Sequence, residues 1–118
     1  MITVTPEEIA QYQSVLTGNP EAQAALEVIK ECDGNLEDAA TVIALEIGEE
    51  EVQADLLDTL SGQCHSVICQ EDRKEELPVL VAALKEFLAA DSGFPTVLAT
   101  PVAIFVTKIG LQKFCQSG

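Results

Sequence analysis

A chain of 118 residues with 47% hydrophobic side chains has the length of one domain and enough apolar material for a core, which excludes a disordered tail. Twenty acids against six Lys and Arg give a net charge of −14; that excludes a nucleic-acid or anionic-membrane surface, since both are gripped by clustered cations. One His, one Tyr and no Trp leave few side chains for acid–base or nucleophilic chemistry, so no enzyme and no cofactor is expected.

In chain order, Thr5-Pro6-Glu7-Glu8 reads as an N-cap, a proline at the first helical position and a capping-box glutamate. Ile9, Tyr12, Val15 and Leu16 then recur at helical spacing, and Gly18 stops the helix. Asn19-Pro20-Glu21 opens a second helix whose buried face is Ala22, Ala25, Leu26, Val28 and Ile29, with Gly34 at its end. Asn35 caps a third, packed by Ala39, Ala40, Val42, Ile43 and Leu45 and closed by Gly48. A fourth starts near Glu49, buries Val52, Leu56, Leu57 and Leu60, and stops near Gly62; a short helix can follow from Cys64 to Gln70. The polar run Gln70–Glu76 is the natural connector.

Beyond it the chain turns apolar. Pro78 opens a helix through Leu88 with so little polar face that it is expected to lie centrally, and Asp91-Ser92-Gly93 forms a turn. Pro95 starts another helix that Thr100-Pro101 either kinks or restarts. The β-branched run around Ile104–Thr107 has no partner strand, so helix is expected there too. The charge follows the same division. Residues 1–76 hold eighteen acids and three bases, a net of −15, and residues 77–118 a net of +1 with all four Phe.

The opening residues Met1–Glu8 contain neither a basic segment nor a long apolar run, so no secretory signal is expected. The least polar stretch, Gly93–Thr107, is about 15 residues and holds Pro95, Thr96, Thr100 and Pro101, short of the roughly 20 that span a bilayer. Cys32, Cys64, Cys69 and Cys115 are then expected as reduced thiols of a soluble cytoplasmic protein.

The segment Ala25–Ala40, an apolar helix followed by Gly34-Asn35 and Leu36-Glu37-Asp38-Ala39, is similar to the second-to-third-helix turn of the ubiquitin-associated (UBA-like) fold. The N-terminal module of elongation factor Ts carries a similar pattern. The resemblance covers residues 5–47, roughly a third of the chain, and implies a three-helix bundle that binds protein. Ubiquitin-binding members usually carry a Met-Gly-Phe type of loop after the first helix. Here Leu16-Thr17-Gly18-Asn19 keeps the glycine and lacks the aromatic. What the resemblance leaves for contact is a small patch from Leu16, Gly18 and the end of the third helix.

Other motifs are weaker than they look. His65 and Cys69 at i, i+4, next to Cys64, form one edge of a zinc site; two more ligands are missing, so small buried hydrophobes and a surface His are expected instead. Asp33-Gly34-Asn35-x-Glu37-Asp38 has its glycine second, not sixth, so it serves as helix stop and cap and not as a calcium loop. Glu49, Glu50 and Glu51 favour a helix N-terminus, and with Asp55 and Asp58 they form an acidic face for a basic partner. Ser66 or Cys64 beside His65 is adjacency without a catalytic dyad, and no glycine-rich phosphate loop exists. Ile109 and Phe114 continue an apolar helical stripe beside Lys108 and Lys113.

The expected architecture is all-α: a UBA-like three-helix front (1–48), an acidic helix and connector (49–76), and an apolar C-terminal helical hairpin (77–118). The expected function is that of a non-catalytic acidic protein-interaction protein, self-associating through Phe105, Ile109 and Phe114, because the back part holds more apolar surface than a hairpin hides. A UBA-type ubiquitin-binding or translation-linked module is the alternative, and a small metal- or thiol-dependent protein a third. The candidate interaction residues are Leu16, Gly18, Glu49, Glu50, Asp55, Phe105, Ile109 and Phe114. Partners are expected to be proteins, including a second copy, with no nucleic acid, no membrane, no metal and no cofactor.

Overall fold

The computed structural model describes residues 3–46, 56–69, 77–92 and 96–116. These residues are all-α, with no strand among them. Helices α1 (Pro6–Val15), α2 (Pro20–Glu31) and α3 (Leu36–Glu46) are followed by α4 (Leu56–Gln63) and the single turn α5 (His65–Ile68). Then come α6 (Leu77–Phe87), a 3-10 turn at Thr96–Leu98, α7 (Ala99–Ile109) and α8 (Leu111–Gln116). Val52 and Gly48, and the expected connector Gln70–Glu76, lie outside the described residues, as do Glu49, Glu50, Asp55 and Pro95.

The helix starts are built as local chemistry dictates. Thr5 Oγ1 accepts the Glu8 N–H at 3.1 Å while Glu8 Oε1 accepts the Thr5 N–H at 3.0 Å, a complete capping box ahead of Pro6. Asn19 Oδ1 accepts the Ala22 N–H at 3.1 Å, and Asn35 Oδ1 accepts the Asp38 N–H at 3.0 Å. The last carbonyls of α1 are covered by side chains. Thr17 Oγ1 donates to Ser14 O at 2.9 Å, and Gln23 Nε2 donates to Gln13 O at 2.8 Å and Leu16 O at 3.1 Å.

The end of α2 carries a refinement of the expected glycine stop. Asp33 adopts φ +57 and Gly34 φ +83. The Gly34 N–H donates to Ile29 O at 2.9 Å and the Asp33 N–H to Lys30 O at 3.1 Å, the paired bonds of a Schellman motif. Asp33 therefore takes the left-handed position, which Asp tolerates better than most side chains. The N-terminal segment closes on this turn: Thr3 and Asn35 form an isolated antiparallel bridge, and the Val4 N–H donates to Gly34 O at 2.8 Å.

The back part departs from expectation in three places. First, α7 and not α6 is central. It packs on α2, α3, α4 and α6, and every residue from Ala99 to Val106 is buried. Helix α6 instead keeps an outer face of Val79, Ala82, Lys85 and Glu86. Second, the chain does not turn at Asp91; α6 runs on in a wider π-helical coil through Ser92, anchored by buried Leu88. Third, Gly110 at φ +99 separates α7 from α8, so Ile109 and Phe114 do not share one stripe. Pro101 introduces no kink. It sits in the first turn of α7, where its missing N–H would have no helical acceptor.

The core is one continuous cluster. Leu26 and Ile29 of α2, Leu36 of α3, Leu57 and Leu60 of α4, and Leu80 and Leu84 of α6 surround Val102 and Ile104 of α7. Fully burying each such side chain contributes about 1.5–3 kcal/mol. Among the described residues no helix is long and apolar enough to cross a membrane.

Candidate functional site

Two places outside the core bring chemistry-bearing side chains together. The first flanks α1. Its C-terminal half borders a groove of about 430 Å³ lined by Gln11, Tyr12, Ser14, Val15 and Leu77. Val15 is 51% exposed, although its spacing with Ile9 and Leu16 assigned it to the core side. On the other flank, a cleft of about 330 Å³ is lined by Val4, Pro6, Ile9, Ala10 and Gln13, with Lys30 and Asp33 at the α2 end.

Helix α1 is tied to α7 by Lys108, whose Nζ donates to both carboxylate oxygens of Glu8 at 2.8 and 2.9 Å. The Lys108 hydrogen bonds, with the Thr5 N–H next, hold the Glu8 carboxyl below its ordinary value. The Tyr12 phenol is pushed up by burial and then by the Glu8 carboxylate, with Lys108 opposing. Tyr12 therefore lines the groove as a neutral, half-buried aromatic with a polar tip.

The second place is the α5–α8 corner. Cys69, just after α5, is disulfide-bonded to Cys115 of α8, with Cα atoms 5.7 Å apart and a sequence separation of 46. This corrects the expectation of four reduced thiols: the packing of α5 on α8 brings the two backbones within bridging range. His65 Nε2 lies 3.7 Å from Cys69 Sγ, and its ring packs on Phe114 with centroids 5.2 Å apart at 40°. Cys64 is a free thiol, fully buried, and desolvation pushes it up to about 11. Cys32 is free and half-buried; burial raises it first, then the carboxylates of Asp38, Glu31 and Asp33. The i, i+4 pair His65 and Cys69 does meet, but the sulfur is engaged with Cys115. Among the described residues no cluster of three or more His, Cys, Asp or Glu is placed to hold a metal ion.

The residues singled out from sequence scatter. Leu16 is 2% exposed and belongs to the core, because α1 turns Ile9 and Leu16 inward and leaves Val15 outside. Gly18 sits in the α1–α2 turn at φ +91 with open space around it. Phe105 is 7% exposed within a single chain, since α7 is wrapped by its neighbours, so it offers no free face for a second copy. Ile109 and Phe114 are half-buried against the same core. Sequence reasoning missed Val15 and Leu77 because residues on α1 and α6 meet only in the fold. It missed the Cys69–Cys115 pair because nothing local marks a partner 46 residues away; the nearest signal was the recurrence of His65 and Cys69 one helical turn apart. No family model matches the chain, and neither does any curated protein or any solved structure.

Proposed function

We propose that the protein is a non-catalytic interaction module that docks a basic, amphipathic segment of another protein through the flank of α1. The observation that carries this reading is the Tyr12–Val15–Leu77 groove, where an apolar anchor stands half exposed and, among the described residues, no cation lines the wall. Charge complementarity supplies the partner's sign. Residues 1–76 carry a net of −15, and Leu77 directly follows Glu75 and Glu76 in sequence. A lysine-rich partner is steered by this field and anchored by an apolar residue in the groove. The self-association expected from sequence does not carry this reading, since Phe105 is buried within one chain and Ile109 and Phe114 are half-buried.

The test is fluorescence anisotropy with a labelled helical peptide of Leu at i, i+3, i+4 and i+7 and Lys elsewhere. Val15→Asp weakens binding by about tenfold, although it adds an attractive charge. Leu45→Asp, the same charge change on α3, leaves it unaltered. Equal binding by the two variants, or no binding by the parent chain, overturns the proposal.

A UBA-type ubiquitin-binding or translation-linked role is the second reading. It is favoured by Val15 and by Leu45, which is 54% exposed, at the ends of α1 and α3, next to the places where the resemblance puts the family's contact patch. Titration with ubiquitin separates the readings, since Leu45→Asp then weakens binding.

A further inference from the structure

The α5–α8 corner is not explained by a docking role. We infer that Cys69 and Cys115 form a reversible thiol–disulfide exchange site, in which Cys69, held beside His65, is the leaving and re-attacking sulfur, and Cys115 carries the mixed disulfide with an incoming small thiol or dithiol.

The geometry sets the direction. An incoming thiolate attacks one sulfur of the bridge and expels the other as thiolate, and the better-stabilised thiolate leaves faster. Cys69 Sγ has the imidazole Nε2 at 3.7 Å, which as an N–H donates toward the departing sulfur. Phe114 packs on the ring and holds it in the corner. Attack at Cys115 thus forms the bond between the incoming sulfur and Cys115 Sγ, breaks the Cys69–Cys115 bond, and places the electron pair on Cys69. A second thiol, or the second sulfur of a dithiol, then attacks the mixed disulfide at the reductant's own sulfur. Cys115 leaves as thiolate, and both protein sulfurs take up a proton. The protein disulfide gains two electrons and two protons, and the dithiol is oxidised to its disulfide.

Burial keeps the nearby Cys64 out of this chemistry. Both bridged cysteines are partly exposed, whereas Cys64, one turn before Ile68, is sealed in the core. The element that carries Cys115 is a six-residue helix joined to α7 through Gly110. Among the described residues it packs chiefly on α7 and α5, so opening the bridge frees α8 from α5 without disturbing the buried α7.

The experiment uses the full chain. Oxidised protein is treated with dithiothreitol in native buffer, the bridge is followed by mass spectrometry, and the reduced protein is pulsed with limiting iodoacetamide at neutral pH. The bridge opens in the folded chain, and Cys69 is alkylated about fivefold faster than Cys115. His65→Asn, with unchanged circular dichroism, brings the two rates together, a change that loss of packing alone does not produce. A bridge that opens only in denaturant overturns the proposal. So does a parent chain in which Cys115 reacts as fast as Cys69, or a His65→Asn chain that keeps the bias.

Discussion

The Val4 N–H donates to the Gly34 carbonyl at 2.8 Å, and the same two residues approach so closely that a Cβ built on Gly34 would run into the Val4 carbonyl oxygen. The N-terminal segment is therefore clamped to the α2–α3 turn at a point where only glycine fits. Gly34→Ala adds this clash to the strain of a side chain at φ +83 and is expected to cost about 3–5 kcal/mol. Gly18, at φ +91 with open space around it, supplies the contrast. Gly18→Ala meets only backbone strain and costs about 1–2 kcal/mol. Urea unfolding of the two variants checks the order; equal losses would show that the clamp contributes nothing.

Glu8 serves two partners at once, closing the capping box on Thr5 and receiving Lys108. Because its carboxyl is held below the ordinary value, the linkage has a definite sign. The stabilisation is present above the unfolded-state value and is lost as pH falls through the lower folded-state value. Lys108→Met is expected to cost about 0.2–1 kcal/mol at neutral pH, as a partly exposed pair should, and nothing once Glu8 is protonated. Glu8→Gln retains the cap, since Gln serves in a capping box, and loses only the charge. Urea midpoints of the parent and Lys108→Met chains measured from neutral to strongly acid pH should converge at the acid end. A gap that persists there contradicts this account.

What was legible in the sequence was what local chemistry decides. Thr5, Asn19 and Asn35 could be placed as caps because each bonds an N–H three residues on. The all-α architecture follows from the same punctuation. What was not legible depends on neighbours far along the chain. Val15 and Leu16 are adjacent and equally apolar, and only the docking of α1 decides that one is exposed and the other buried. Helices α6 and α7 are both apolar along most of their length, so composition alone could not say which one the others would surround. The Cys69–Cys115 bridge is a non-local pairing of the same kind, and the acidic residues Glu49, Glu50 and Asp55 lie outside the described residues.

Burial of Phe105 turns a binding variant into a stability variant. Its side chain is part of the single-chain core, so Phe105→Ala should cost about 3–5 kcal/mol through lost contacts and a cavity. Phe105→Asp should leave the chain unfolded. Val15→Asp, on the exposed flank of α1, should change stability by no more than about 0.5 kcal/mol. Sedimentation velocity with circular dichroism distinguishes the cases. A Phe105→Asp chain that stays helical and merely halves its mass would restore the two-fold contact in place of the core role.

Cys64 provides the last test, of how dry the centre of the fold is. Its thiol is pushed up to about 11 by desolvation alone, and the thiolate is the form that reacts. Near pH 8 only on the order of one Cys64 in a thousand is ionised, given a value of about 11. Iodoacetamide should therefore leave it unmodified in the folded chain and label it fully in urea. Cys32, whose thiol is also raised but which is half-buried and not sealed in the core, should react faster than Cys64. The pH dependence has the opposite sense to that of Glu8. A thiol whose folded value is raised contributes stability below the ordinary thiol value, and that contribution drains away as pH climbs toward about 11. Cys64→Ala removes this dependence, so the stability of the variant should fall less steeply than that of the parent over the same alkaline range. Parallel curves, or rapid labelling of Cys64 in the native chain, would mean that water reaches the junction of α4 and α5.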